Sequence, residues 1–177
     1  MPSVRLLDCA LATYAYFATQ VNPVASATDW LSLIGVTGKK VQLRWLQIGG
    51  TAAAARSQPV ALIRRSTLNT SGTSSSPTPV PIDSADGAAG ATLKLWSANP
   101  TLGTSAGLVD GGSLALVVLA SLQDRLSFSY EQTTLKDPAV NNSNESLNVN
   151  FAQGTPVNTI ATDKLDVSMQ WTEVSPN

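Results

Sequence analysis

Leu165-Asp166-Val167-Ser168-Met169-Gln170-Trp171 alternates four apolar side chains with three polar ones. A β-strand turns successive residues to opposite faces, whereas a helix repeats every 3.6 residues, so a strict period of two reads as a half-buried strand. The pattern recurs upstream. In residues 146–151, Leu147, Val149 and Phe151 oppose Asn148 and Asn150. In residues 41–48, Val41, Leu43 and Trp45 oppose Gln42 and Arg44, and Gly49-Gly50 ends the run. In residues 91–96, Leu93 and Leu95 oppose Thr92, Lys94 and Trp96.

Three further stretches extend the set. Residues 60–64 follow Pro59, whose missing N–H is tolerated at a strand start. Residues 125–132 offer Leu126, Phe128 and Tyr130 as one face. Residues 29–34 read as a short strand or a helical turn. Residues 11–18 and 108–119 are more uniformly apolar and suit central strands, the second interrupted at Gly111-Gly112. Against eight to ten strands stands one weak helical candidate, residues 51–56, too short to be stable alone; a bulged or extended connection suits them equally. The expected fold class is all-β: an antiparallel β-sandwich, jelly-roll-like in strand number, with a long Ser/Pro-rich surface loop.

Composition narrows the chemistry. Of 177 residues, 13% are charged, about half the usual share, and Ser with Thr supplies about one residue in five. A formal net charge of -1 builds no positive field for phosphate backbones, so no nucleic-acid partner is expected. With no histidine, the commonest general base and metal ligand is missing. The one cysteine, Cys9, permits no intrachain disulfide, and it reads as an ordinary small residue. No apolar run reaches the roughly 20 residues that cross a bilayer as a helix, and no secretory leader is recognisable, so no membrane partner is expected. The chain reads as a non-enzymatic protein with no cofactor and no metal. Asp83 and Asp86, the closest carboxylate pair in a loop, are read as solvated Asx-turn residues rather than a glycosidase pair or a calcium loop.

Residues 1–22 are set apart as an N-terminal segment, an arm or first strand contributing to assembly, and residues 23–177 as the sandwich. Residues 69–90, rich in Ser, Thr, Pro and Gly, form a loop long enough to carry function. Trp45 and Trp171 fall in phase with apolar strand faces and are expected in the core. Trp96 falls opposite Leu93 and Leu95 and is expected to point outward. Trp96, Trp30, Asn69, Pro77, Pro79 and Pro81 are therefore the candidate interface or ligand-platform residues.

The run Arg64-Arg65-Ser66-Thr67-Leu68-Asn69-Thr70-Ser71-Gly72-Thr73-Ser74, then Pro77-Thr78-Pro79-Val80-Pro81-Ile82-Asp83-Ser84 and Ser97-Ala98-Asn99-Pro100-Thr101-Leu102-Gly103-Thr104, resembles small virion proteins of tailed bacteriophages and prophages. Their closing strand is similar to residues 165–173 here. The similarity spans roughly residues 40–110 and the last ten; the first forty residues and residues 137–144 depart from it. It implies a structural virion protein, such as a head decoration (cement) protein, a minor capsid protein or a head or tail fibre element, without choosing among them; with the missing histidine and the low charge, a capsid decoration protein is the first expectation. The partners implied are the major capsid protein or other virion proteins, with assembly as a homo-oligomer, a trimer at a symmetric lattice point. The alternative is a carbohydrate- or receptor-binding module of a phage fibre or tail.

Overall fold

The computed structural model describes residues 11–23, 28–118, 124–130, 137–151 and 163–175. Among these residues twelve strands are formed: β1 (Ala12–Val21), β2 (Asp29–Ile34), β3 (Lys40–Thr51), β4 (Arg56–Arg65), β5 (Ser74–Ser75), β6 (Val80–Pro81), β7 (Thr92–Trp96), β8 (Ser105–Leu116), β9 (Arg125–Ser129), β10 (Ala139–Val140), β11 (Ser146–Asn150) and β12 (Lys164–Val174). No helix occurs among the described residues. Residues 51–56, the helical candidate, close β3, turn and open β4. Cys9 lies outside the described residues.

The strands make two antiparallel sheets. Sheet A runs β10-β3-β12-β1-β6, with β9 also on β3; sheet B runs β5-β7-β2-β11-β4-β8. The strictly alternating stretch 165–171 lies in β12, which is flanked along its length by β1 and β3. Its apolar set Leu165, Val167, Met169 and Trp171 is buried, as the period of two requires. These residues join Leu31 and Leu33 of β2, Leu147 and Val149 of β11 and Leu62 of β4 in one core shared by both sheets. Trp30 lies 5.4 Å from Phe151 and Tyr14 lies 6.0 Å from Trp171, ring centre to ring centre, so aromatic pairs fill the thick parts of the core.

Residues 12–21 of the segment set apart in the sequence are β1 itself, which places Tyr14 in the core. The central strand expected at residues 108–119 is not found among residues 108–118; residue 119 lies outside the described residues. β8 is the last strand of sheet B, runs unbroken through Gly111 and Gly112, and leaves Leu108 and Val109 exposed. Residues 29–34, in contrast, are a strand in the middle of sheet B with every residue buried.

Bulges set which side chains face which way. Trp45 pairs with Gln170 and Leu43 pairs with Trp171, so Arg44 is an extra residue in β3. The alternation therefore changes phase: Leu43 and Leu46 are both buried, and Trp45 joins the outer face of sheet A instead of the core. In sheet B, Val149 pairs with Leu31 and Asn150 with Asp29, leaving Trp30 as the extra residue. That bulge lets Trp30 pack on Phe151 while Asp29 moves to the face of Asn150.

Candidate binding surfaces

Register assigns Ser32, Ile34, Ile63, Arg65, Ser146, Asn148 and Asn150 to the face of sheet B away from the core, together with Asp29. All of them are buried. Beyond β4 the chain runs out and returns as an antiparallel ribbon: Ser66 N donates to Thr104 O at 2.9 Å, and Thr70 and Thr101 exchange backbone bonds at 3.0 and 2.7 Å. This ribbon is fastened to the sheet through one carboxylate. Asp29 Oδ2 accepts from Arg65 Nε at 2.6 Å and Asn69 Nδ2 at 2.7 Å, while Oδ1 accepts from Arg65 Nη2 at 2.9 Å and Asn150 Nδ2 at 2.7 Å. Arg65 Nη1 donates to Gly103 O at 2.8 Å, and Gly103 N donates to Asn69 Oδ1 at 2.8 Å. A side chain at position 103 would begin 2.0 Å from Thr67 O, so the close approach admits only glycine.

Three candidate platform residues therefore sit in buried places. Asn69 belongs to the Asp29 network. Trp30 is 0% exposed, turned inward by its bulge. Trp96 does lie on the face opposite Leu93 and Leu95, but it is only 3% exposed; its Nε1 donates to Ser32 Oγ at 2.9 Å, and Lys94 Nζ lies 5.4 Å from its ring. The outward parity was legible, whereas β5, which pairs Ser74 with Trp96 at the end of β7, comes from a distant loop. Pro77, Pro79 and Pro81 are half-buried in the connection between β5 and β7, with Pro81 paired to Tyr14 through β6.

The loop carboxylates are engaged with backbone. Asp83 Oδ1 accepts from Ala85 N at 2.9 Å in an Asx turn, and Asp86 Oδ2 accepts from Thr13 N at 3.3 Å, fastening the loop to β1. No group of three or more acidic or cysteine side chains arranged to hold a metal occurs among the described residues.

At one end of the sandwich, Glu173 is buried between the sheets. Its Oε1 accepts from Ala91 N at 2.8 Å, and its Oε2 from Lys39 Nζ at 2.9 Å and Gly90 N at 3.1 Å. Burial acts to raise the carboxyl pKa, but the two backbone N–H groups and the Lys39 ammonium outweigh it and hold the pKa below the ordinary glutamate value. The opposite balance holds at Asp163, where burial outweighs the Arg56 partner and raises the pKa. Both are structural ion pairs that join separate segments.

Among the described residues, two hollows open to the surface. A hollow of about 490 Å³ lies between β8 and β10, lined by Lys40, Arg64, Leu108, Val109, Pro138 and Asn141 among others. It adjoins the outer side of β8, which among the described residues is hydrogen-bonded to β4 as its one strand partner. A groove of about 200 Å³ crosses the outer face of sheet A, lined by Phe17, Thr19, Trp45, Gln47, Arg125, Asp166 and Ser168 with nearby backbone. Phe17 is 68% exposed there, and Val80 and Ile82 extend exposed apolar surface along the β6 edge of the same sheet. Sequence reading missed both surfaces, although the passage of the apolar phase from Val41 and Leu43 to Leu46 and Ile48 marks where Trp45 turns outward. No protein-family model, no curated protein and no solved structure matches the chain.

Proposed function

We propose that the protein is a non-enzymatic structural component of a tailed-phage virion, a capsid decoration protein that docks on its partner through the β8 edge. The observation that carries this reading is the edge of β8, which no strand covers among the described residues. A free edge strand offers a row of unpaired N–H and C=O groups, and proteins that stay alone blunt such edges with Lys, Pro or bulky charge. β8 is twelve residues long, contains neither lysine, arginine nor proline, and exposes Leu108 and Val109 beside the adjoining hollow. Its one charge, Asp110, accepts from Tyr130 Oη at 2.9 Å. Strand addition by a partner would complete the ladder and cover both apolar side chains.

Other features support the same reading. The sheet orders β9-β3-β12-β1 and β2-β11-β4-β8, with most successive long strands alternating between sheets, support a jelly roll. A surface poor in charge is cheap to bury repeatedly, because little ionic desolvation accompanies each contact. A homo-oligomer, trimeric at a three-fold lattice point, is the form in which such a protein meets a symmetric shell.

The test places a guard on the edge. The double substitution Leu108→Lys, Val109→Lys acts on exposed positions and should leave the melting temperature close to wild type while abolishing association with purified, protein-stripped particles. Particles lacking the protein should also lose thermal resistance. Full association of the double variant would remove β8 as the docking edge, and unchanged particle stability would remove the decoration role.

A further inference from the structure

We infer that the groove on the outer face of sheet A is a binding site for a neutral oligosaccharide, with sugar rings lying against Phe17 and Trp45. Register gives the layout. Phe17, Ser168 and Gln47 form one cross-strand row, and Ala15, Gln170 and Trp45 form the next. Phe17 and Trp45 thus stand on the two strands that flank β12, about 10 Å apart across the sheet and offset by about 7 Å along it. The floor between them is Ser168 and Gln47, and Arg125, Asp166 and Thr19 border it.

The polar groups of the groove are held in place and only partly used. Arg125 Nη1 donates to Gln47 Oε1 at 2.9 Å, and Gln47 Nε2 donates to Ser127 Oγ at 3.0 Å. Asp166 Oδ1 accepts from Gln20 N at 2.9 Å; Gln20 has a left-handed φ of 56° at the β1 bulge, so this contact secures a strained turn at the rim. Among the described residues, Trp45 Nε1, Thr19 Oγ1, Ser168 Oγ, Asp166 Oδ2 and the other Arg125 N–H groups have no partner. They leave donors and acceptors of both kinds free around two aromatic rings.

That chemistry selects its occupant. A purely apolar ligand would strip water from Arg125, Asp166, Ser168 and Thr19 without replacing the lost hydrogen bonds. A polyanion meets a single guanidinium, and the Asp166 carboxylate in the same groove repels it. A peptide strand finds no free ladder on β12, which is bonded on both sides. A sugar ring has an apolar C–H face for the aromatics and hydroxyls that donate and accept around its rim, so it satisfies both components at once. A groove of about 200 Å³ is smaller than an enclosed drug-sized site and suits one or two rings of a chain lying across an open face. The inference does not depend on the virion reading.

Trp45 supplies the reporter, because Trp30, Trp96 and Trp171 are buried and Trp45 is not. The full chain is screened on a printed array of neutral and sialylated glycans, and each responding neutral oligosaccharide is then titrated in solution. Bound sugar should protect the one accessible indole from acrylamide in a saturable way. Phe17→Ser should weaken binding about tenfold or more without moving the melting temperature. Ser168→Trp, which fills the floor from a half-buried position, should abolish it, and this variant keeps the test independent of any folding defect in a Trp45 substitution. A wild-type chain that binds no neutral glycan, or binding that is unchanged in both variants, overturns the site. So does a Phe17→Ser variant whose one defect is loss of particle association, which would make the face a protein contact.

Discussion

The outer faces of the two sheets are built from the same kind of strand and meet opposite fates. On sheet B, Asp29 accepts four hydrogen bonds and closes the face under the ribbon formed by residues 66–73 and 97–104. On sheet A, Asp166 accepts one bond from Gln20 N, and the face around it stays open, with Phe17 in solvent. The difference teaches that polar residues at alternate strand positions do not by themselves mark a wet surface. Asn148 is fully buried and Ser168 is not, yet both stand between apolar neighbours in their strands. What decides is whether a distant segment carries the donors that match.

Breaking the closed face at its centre gives the largest effect. Asp29→Ala leaves the Arg65 guanidinium, itself buried, without its carboxylate, and breaking a buried pair on one side costs about 3–5 kcal/mol. Chemical denaturation should show that loss in the midpoint, and the ribbon of residues 66–73 and 97–104 should become the first site of proteolysis. A loss within 1 kcal/mol would mean that the ribbon is held by something other than Asp29.

Glu173 gives the next effect and a pH signature. It is a third carboxylate, buried at the end of the sandwich, and its folded pKa is depressed. Its contribution is therefore fully present above the unfolded value of about 4.5 and is lost as pH falls through the lower folded value. Glu173→Gln keeps an acceptor for Ala91 N but loses the charged partner of Lys39, at a cost of about 1.5–3 kcal/mol near neutral pH. The variant should also unfold with a shallower acid limb. Parallel pH profiles for variant and wild type would show that Glu173 does not govern acid unfolding.

These contrasts also show what was legible from the chain. The period of two in residues 146–151 and 165–171 identified two strands and the core set of each, because local alternation is a local signal. Trp45 was misassigned because one extra residue, Arg44, reverses parity for everything beyond it, although the passage from Leu43 to Leu46 records the reversal. Trp96 was placed on the correct face, and only its cover was missed. The Asp29 network joins residues 36 to 121 positions apart, and no period along the chain encodes such a pairing. The open groove likewise assembles from β1, β3, β9 and β12, whose adjacency comes from sheet order alone.

Trp96 tests the cover at finer grain. Trp96→Phe keeps most of the buried ring but removes the donor to Ser32 Oγ, so the expected cost is about 1 kcal/mol, measured as a shift of the denaturation midpoint. A cost several times larger would show that the indole also holds β5 against β7. Either result leaves the core between the sheets untouched, since Leu93 and Leu95 face the other way.

The smallest effect on stability belongs to the open face. Phe17 is 68% exposed and its Cα partner is the polar Ser168, so its ring removes little apolar area from water on folding. Phe17→Ser should change stability by no more than about 0.5 kcal/mol, the range of surface substitutions away from caps, cavities and ion pairs. Solubility should rise at the same time, because an apolar ring has left the surface. A clear loss of stability would mean that the ring packs against its neighbours in solution and that the two faces differ less than their exposure indicates. A neutral result leaves Phe17 as a residue kept for contact rather than for folding, which is the condition under which an open aromatic groove can serve as a site.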